Sequence, residues 1–445
     1  MRWCRVGLGA CVVVLAGCRL VRAEEGGGRE AFVSWARSQA VPLHSIEAGP
    51  RHEDWRRLKP LIGSARVVAL GEPAHGVHQP LAVRNRLFQF LVEEAGFTAL
   101  ATESSFTDGS AVSDFIDGHS AAMPQLGFLP SAEDEELLLW MKAYNADSTH
   151  SWKLRFYGID LGLGGLGNSY PSPAPIRAAL GYLEKTLPEN AAPLRVRLEP
   201  HLARLPGPGN GPPVYSRTEH DELTGAITDL IGLLERSRPR LIALSSNSAY
   251  ERAHRNAVVA RQADQMFRVS PPEARPGQIP SGAWKGVSAR DAAMAENVLW
   301  ALGQEGPSGR VLLFAHNAHV KNAPTLGGVW DVFDQPPAAM GQFLRHTLGA
   351  DLVIVGSCAA YPADGPPRST KAAESLDDVV ATVGSAPFLI DIRSAGMPAP
   401  AANWLTTPKS LTANAGSFLI LPPRSSFDLI FVTDRLTPVV APKRR

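Results

Sequence analysis

The sequence predicts an α/β fold, a layered mixed but mainly parallel sheet flanked by helices with a helical insertion, and three observations carry that prediction. Short apolar runs suited to buried strands alternate with longer segments of helical spacing. Residues 67–101 read as a complete strand, helix, strand unit. Acidic and histidine side chains then recur just after the apolar runs, at the strand ends where an open α/β sheet forms its crevice.

The elements follow in order along the chain. Ala31 to Ala40 and Trp55 to Ile62 predict two short helices, and Val67 to Leu70 the first buried strand. Leu81, Leu87, Phe88, Leu91 and Val92 recur at helical spacing with Arg84, Arg86, Glu93 and Glu94 between them, and the helix stops at Gly96. Phe97 to Ala101 is the second strand, ending at Glu103; it is expected beside the first, parallel, with a right-handed crossover. Ser131 to Ala146 is a helix opened by Ser131 with Asp134 three residues later, and Leu154 to Ile159 is a third strand ending at Asp160.

The character then changes. Residues 164 to 216 are rich in Gly and Pro, Glu219 to Arg236 and Ala249 to Val269 read as helices, and Pro271 to Ser281 is a returning loop. Arg290 to Leu302 and Met340 to Leu348 are helices; Val311 to Phe314, Leu352 to Val355, Phe388 to Ile392, Phe418 to Leu421 and Leu429 to Val432 are strands. The expected organisation is therefore a leader over 1–23, core halves over 24–164 and 286–445, and a helical insertion or cap over 165–285. No internal repeat is visible.

The first 23 residues combine Arg2 and Arg5 with an apolar run from Val6 to Ala16 that is too short to span a bilayer, which reads as an export signal. Leu15-Ala16-Gly17-Cys18 resembles a bacterial lipobox, in which Cys18 would be lipidated and anchor the protein to a membrane; cleavage after Ala23 is the alternative. Either route places the mature protein outside the cytoplasm, as an envelope lipoprotein or a secreted protein. Cleavage before Cys18 leaves Cys358 as the only other cysteine, so no intramolecular disulfide framework is expected. Removing Arg2 and Arg5 takes the 44 basic residues to 42 against 43 acidic ones, a net charge of −1 that argues against nucleic acid as a partner.

The polar residues that follow the predicted strands are Glu72 and His75, Glu103, Asp160, and His316 and His319. In parallel strands these ends share one edge. Pairing an imidazole with a carboxylate offsets desolvation and tunes histidine toward a general base that takes a proton from water attacking a carbonyl. Arg84 is a candidate cation for the developing oxyanion, and Asn317 a candidate to orient either neighbouring histidine or the substrate. Gly162-Leu163-Gly164-Gly165-Leu166-Gly167 matches a dinucleotide fingerprint, but the Pro-containing segment after it cannot open the required helix. Neither a G-x-S-x-G elbow nor an H-E-x-x-H helix occurs. The His316, His319 pair admits a divalent metal, whereas a hydrogen-bonded acid/base network requires no cofactor.

Taken together, Gly71-Glu72-Pro73-Ala74-His75-Gly76, Arg84, Phe97 to Glu103, Phe156-Tyr157-Gly158-Ile159-Asp160, Arg290 to Asn297 and Ala315-His316-Asn317-Ala318-His319 resemble the erythromycin esterase family over about residues 50 to 360. The resemblance implies a hydrolase opening the lactone of macrolides or another carboxylic ester, with a small-molecule substrate. It implies His75 as the base that activates water, Glu72 and Glu103 as its carboxylate partners, Arg84 as a site cation, and His316 and His319 as facing imidazoles; Asp160 and Asn317 are the candidate substrate-binding residues. Arg290 and Asp291 match a further motif and are expected to form an ion pair securing a helix under the site. Pro73-Ala74 and Gly76-Val77-His78-Gln79 depart from the family pattern, which has Gly-Thr-His-Glu after the histidine loop. A second class of function, a haem- or metal-binding envelope lipoprotein of related fold, also suits exposed histidines and a lipobox.

Overall fold

The computed structural model describes residues 27–49, 53–126, 130–162, 172–205, 215–270, 280–361, 374–414 and 417–442. The predicted leader with Cys18, the glycine-rich stretch beyond Gly162 and most of the 271–281 loop lie outside the described residues.

The described residues form ten strands: β1 (Val41–Pro42), β2 (Val67–Glu72), β3 (Ala99–Ser105), β4 (Arg155–Asp160), β5 (Val311–His316), β6 (Leu352–Tyr361), β7 (Phe388–Asp391), β8 (Lys409–Thr412), β9 (Phe418–Leu421) and β10 (Leu429–Arg435). Eight of them form one sheet in the order β1-β7-β10-β6-β2-β5-β3-β4. The run from β10 to β4 is parallel, and β7 and β1 close one side antiparallel. Such a sheet, covered on both faces, calls for continuous apolar strands. β2 and β5 are buried along their whole length.

Successive side chains enter opposite layers. Val67, Ala69, Val311, Leu313, Leu352 and Ile354 pack into one core, and Val68, Leu70, Leu312, Phe314, Val353 and Val355 into the other. Cys358 is buried in the first of these.

One topological expectation is corrected. β2 and β3 are not neighbours, because β5 pairs with both of them in parallel. The all-apolar stretch Val311-Leu312-Leu313-Phe314 needs strands on each side to satisfy its backbone away from water, and it gains them between β2 and β3. Local sequence specifies the strand, helix, strand unit but not what is later inserted into it. The predicted strand Phe418 to Leu421 likewise leaves the main sheet and pairs with β8 in a separate hairpin.

The helices that matter for the site are α1 (His78–Ala95), α2 (Phe106–Ile116), α3 (Ala132–Ala146), α4 (Ala174–Thr186), α5 (Pro188–Leu202), α6 (Arg217–Arg236), α7 (Asn247–Val269), α8 (Trp284–Gln304), α9 (Asn317–Val320) and α10 (Met340–Leu348). α1 ends at Gly96 in the left-handed conformation, φ 71°, where a Cβ is disfavoured. Ser131 caps α3 by accepting the Asp134 N–H, a contact generally worth about 1 kcal/mol.

Between β4 and α8 the chain forms a helical cap with an apolar core of its own, drawn from α4, α5, α6 and α7. α4 and α5 lie in the Gly- and Pro-rich stretch, where the sequence marks no individual helix. Their prolines sit at helix starts, Pro175 and Pro188, or within α5, Pro193 and Pro200, and periodicity is obscured by residues that usually break helices. A smaller cluster of Phe106, Leu161, Val259, Ala263, Met266 and Ala293 joins the cap to the sheet domain.

Candidate active site

β2 ends on Glu72, which lies opposite His316, the last residue of β5. Gly71 precedes it because a Cβ there would lie 2.2 Å from the Asn317 side-chain oxygen. The chain then turns through Gly76, φ 69°, into α1. A residue from far along the chain holds this turn: the His75 N–H donates to Asn414 Oδ1 at 3.0 Å, and the Asn414 N–H donates to the Pro73 carbonyl at 2.8 Å. Asn414 follows β8 in the left-handed conformation, φ 60°, which asparagine tolerates better than most residues. With its backbone fixed, His75 places Nδ1 2.5 Å from Glu72 Oε1. Burial works to lower the His75 pKa, but the hydrogen bond and charge of Glu72, with Glu103 beyond it, raise it above the ordinary histidine value. Burial also raises Glu72, which its bond to His75 only partly offsets.

Glu103, near the end of β3, joins this pair to a second set of groups. Its Oε2 accepts the His316 N–H at 2.9 Å, and its Oε1 lies 3.2 Å from Arg290 Nη2 and 3.3 Å from His319 Nε2. Arg290 projects from α8 and grips Asp160 with a two-pronged fork, Nε to Oδ1 at 3.0 Å and Nη2 to Oδ2 at 2.6 Å. The next residue, Asp291, accepts from His319 Nδ1 at 2.9 Å and from the Met340 N–H at 2.7 Å with the same oxygen. Burial opposes charge on His319, yet Asp291 and Glu103 on its two nitrogens carry its pKa up to about 10. It is therefore an imidazolium at neutral pH. Arg290 Nη1 lies 3.4 Å from His319 Nε2, donor facing donor, and Glu103 between them holds both cations. Burial penalises the Glu103 carboxylate, but His319, His75 and Arg290 keep its pKa well below the carboxylate range.

His316 is different. Its Nδ1 accepts the N–H of Ala318 at 3.1 Å, capping α9, so the proton of the neutral ring is on Nε2. Nε2 is buried and makes no hydrogen bond of ordinary geometry among the described residues, and a weaker interaction with the Pro73 backbone favours its proton. Burial, reinforced by the positive charge on His75, pushes the His316 pKa down to about 3. The ring stays neutral across the working range, 5.0 Å between centroids from the ring of His75. It offers a fixed N–H donor and no base.

The structure thus brings Glu72, His75, Glu103, Asp160, His316 and His319 to one sheet edge, and it uses Arg84, Asn317, Asp160 and Arg290 differently from expectation. Arg84 borders the same pocket as Glu72 and Glu103, but its guanidinium is buried and held by Asn85 Oδ1 and by Asp134 Oδ1 at 2.8 Å, above the Phe314 ring. Asn317 is fully buried and bonds both the N–H and the carbonyl of Ser357, so its amide ties α9 to β6 rather than meeting substrate. Asp160 faces Arg290 and the Leu161 N–H. Arg290, expected beneath the site, is its central cation. The adjacent Arg290-Asp291 pair on a helix could have suggested this; nothing local in the sequence marks Asn414.

Among the described residues, no three His, Cys, Asp or Glu side chains are arranged to hold a metal ion. A cavity of about 440 Å³ lies between α2, β4 and the cap, bordered by Arg155, Arg252 and Trp300 and by none of the groups above.

Comparison with known proteins bears on the same residues. The family model for erythromycin esterase matches residues 92–432. That span contains Glu103, Asp160, Arg290, Asp291, His316, His319 and Asn414; Glu72 and His75 precede it. Erythromycin esterase type II of Escherichia coli is 26% identical over 350 residues, 74% of this chain and 79% of that protein. Among solved structures, a succinoglycan biosynthesis protein aligns with a TM-score of 0.74 at 22% identity, covering 92% of this chain and 98% of the other. A Bacillus cereus protein aligns with a TM-score of 0.74 at 20% identity and the same coverage. A variant of the erythromycin esterase EreC in its open conformation gives 0.63 at 18% identity, with 88% and 96% covered. These likenesses show the fold.

Proposed function

Because the chain belongs to the erythromycin esterase family, whose model matches residues 92–432, we propose that it hydrolyses a carboxylic ester or lactone with a water molecule activated by His75. The observation that carries this reading is the 2.5 Å Glu72–His75 pair set beside a neutral His316 whose Nε2–H makes no hydrogen bond of ordinary geometry. Glu72 accepts a hydrogen bond from His75 Nδ1–H, which stays on the ring, and Nε2 is the atom that takes a proton from water. The water oxygen bonds to the carbonyl carbon while the carbonyl oxygen gains charge and accepts the His316 Nε2–H. Collapse of the tetrahedral intermediate breaks the bond to the leaving oxygen, which recovers its proton from His75. Arg290 and imidazolium His319 hold Glu103 ionised behind these groups, so the site keeps its charge pattern through the cycle. The reaction so described uses water and no cofactor, and an export leader would place it outside the cytoplasm.

The test is a panel of macrolides, simple lactones and linear esters incubated with the mature chain in ¹⁸O-water, with mass detection of one added labelled oxygen. Erythromycin, the substrate in the Escherichia coli relative's name, heads the panel. Pro73, which stiffens the histidine loop, is the local reason to extend it beyond macrolides. No turnover on any member would overturn the reading.

Two further outcomes follow from the geometry. The working His75 is the neutral form, and its pKa lies above the ordinary value of 6.5. Activity should therefore rise with pH and reach half its maximum above 6.5 in a kcat/KM profile; a midpoint below that value contradicts the Glu72 partnership. His316→Phe, which keeps the ring volume but removes the donor, should lower kcat by about 10²–10³-fold, the usual cost of an oxyanion donor. Steady-state kinetics should find the pH midpoint near its wild-type position.

A further inference from the structure

Residues 436–442 leave β10 and cross the catalytic loop as a strap. Leu436 packs with Ala74, Val77 and Ala359. Val77 and Pro438 form an antiparallel bridge. The His78 N–H donates to the Thr437 carbonyl at 2.8 Å and the Val439 N–H to the Gly76 carbonyl at 3.2 Å. Gln79 closes the clamp, its Oε1 accepting the Thr437 N–H at 2.8 Å and its amide donating to Thr437 Oγ1 at 2.9 Å. Beyond it, the Ala132 N–H donates to the Val440 carbonyl at 2.7 Å and the Val440 N–H to Glu133 Oε1 at 3.2 Å, so the strap is tied to α3 as well.

Beneath this strap is a pocket of about 60 Å³ on the α1 side of the site. Glu72, His75 and Glu103 border one end, and Leu81, Phe314 and Val439 supply apolar wall. We propose that Val439 is a specificity-determining residue: the strap closes this pocket around the acyl group of the ester and limits it to a short chain. A space of ~10–15 Å³ on the same measure holds one water, so about four to six water-sized groups fit. The pocket borders Glu72 and His75, beside which the carbonyl carbon must sit for water to reach it, and the acyl chain is the part of the ester that stays bonded to that carbon. Arg84 adds no free cation here, being paired with Asp134. The family match ends at residue 432, before the strap.

The proposal rests on the hydrolase reading, and one experiment separates the two. Full-length wild type, Val439→Ala and Val439→Trp are assayed on p-nitrophenyl acetate, butyrate, hexanoate and octanoate. Val439→Ala should shift the preference toward longer chains, raising the hexanoate-to-acetate ratio of kcat/KM about tenfold, the scale of a methylene-sized change in a pocket. Val439→Trp should shift it toward acetate. Gln79→Ala, which unclasps Thr437, should move the profile in the direction of Val439→Ala and speed hydrogen exchange at the Val439 N–H. Profiles that all three variants leave unmoved, in a wild type that does hydrolyse the series, overturn the strap assignment alone. A wild type inactive on every ester overturns both readings.

Discussion

His75→Ala should lower kcat/KM by about 10²–10⁴-fold, the range that a positioned general base contributes, on any ester that the wild-type chain turns over. The substitution removes the imidazole but keeps the backbone N–H that bonds Asn414, so the loop retains its anchor. Glu72, whose pKa burial already raises, loses the hydrogen bond that partly offsets that rise, so its pKa should move further upward. The circular dichroism spectrum should be unchanged, which assigns the loss to chemistry rather than folding. Glu72→Gln should lose activity as well and shift the pH midpoint downward, because His75 then lacks the carboxylate that lifts it. Retained turnover in His75→Ala would remove the base from the mechanism.

The second large effect concerns stability. Arg290→Leu should destabilise the fold by about 3–5 kcal/mol, the usual consequence of leaving buried charges without their partner. It removes the cation held by Asp160 at 2.6 Å and by Glu103 at 3.2 Å. Urea unfolding at pH 7 is the measurement. The penalty should shrink as pH falls, since protonation of the stranded carboxylates relieves it. Adding Asp160→Asn to Arg290→Leu should recover part of the loss, and the double-mutant cycle gives the coupling directly. A penalty under ~1 kcal/mol would make this a solvated surface network rather than the electrostatic centre of the site.

What was legible in the sequence was whatever repeats locally. Val67 to Leu70, Val311 to Phe314 and Leu352 to Val355 announce buried strands by composition alone, and the polar residues after them fall on one sheet edge because parallel strands share a direction. The order of those strands was not legible: nothing in residues 67–101 shows that Val311 to Phe314 will lie between its two strands. The cap was half legible, since α6 and α7 have clean periodicity whereas Pro193 and Pro200 disguise α5. Within the site, residue types were readable but partners were not. Arg84 and Arg290 are both helix arginines near acidic residues in space; only the tertiary arrangement gives Asp134 to one and Asp160 with Glu103 to the other. The distinct states of His316 and His319 are equally invisible in His316-Asn317-Ala318-His319. One nitrogen caps a helix in the first, while both face carboxylates in the second.

The brace from Asn414 to the histidine loop spans 339 positions of chain. Synthesis delivers Glu72 and His75 early and Asn414 late, and contacts so distant in sequence form slowly because the intervening chain must first be ordered. A partly made chain thus carries its base on an unbraced turn. That order acts as a timer: the histidine loop reaches its final geometry only after the hairpin that carries Asn414 has been made and folded.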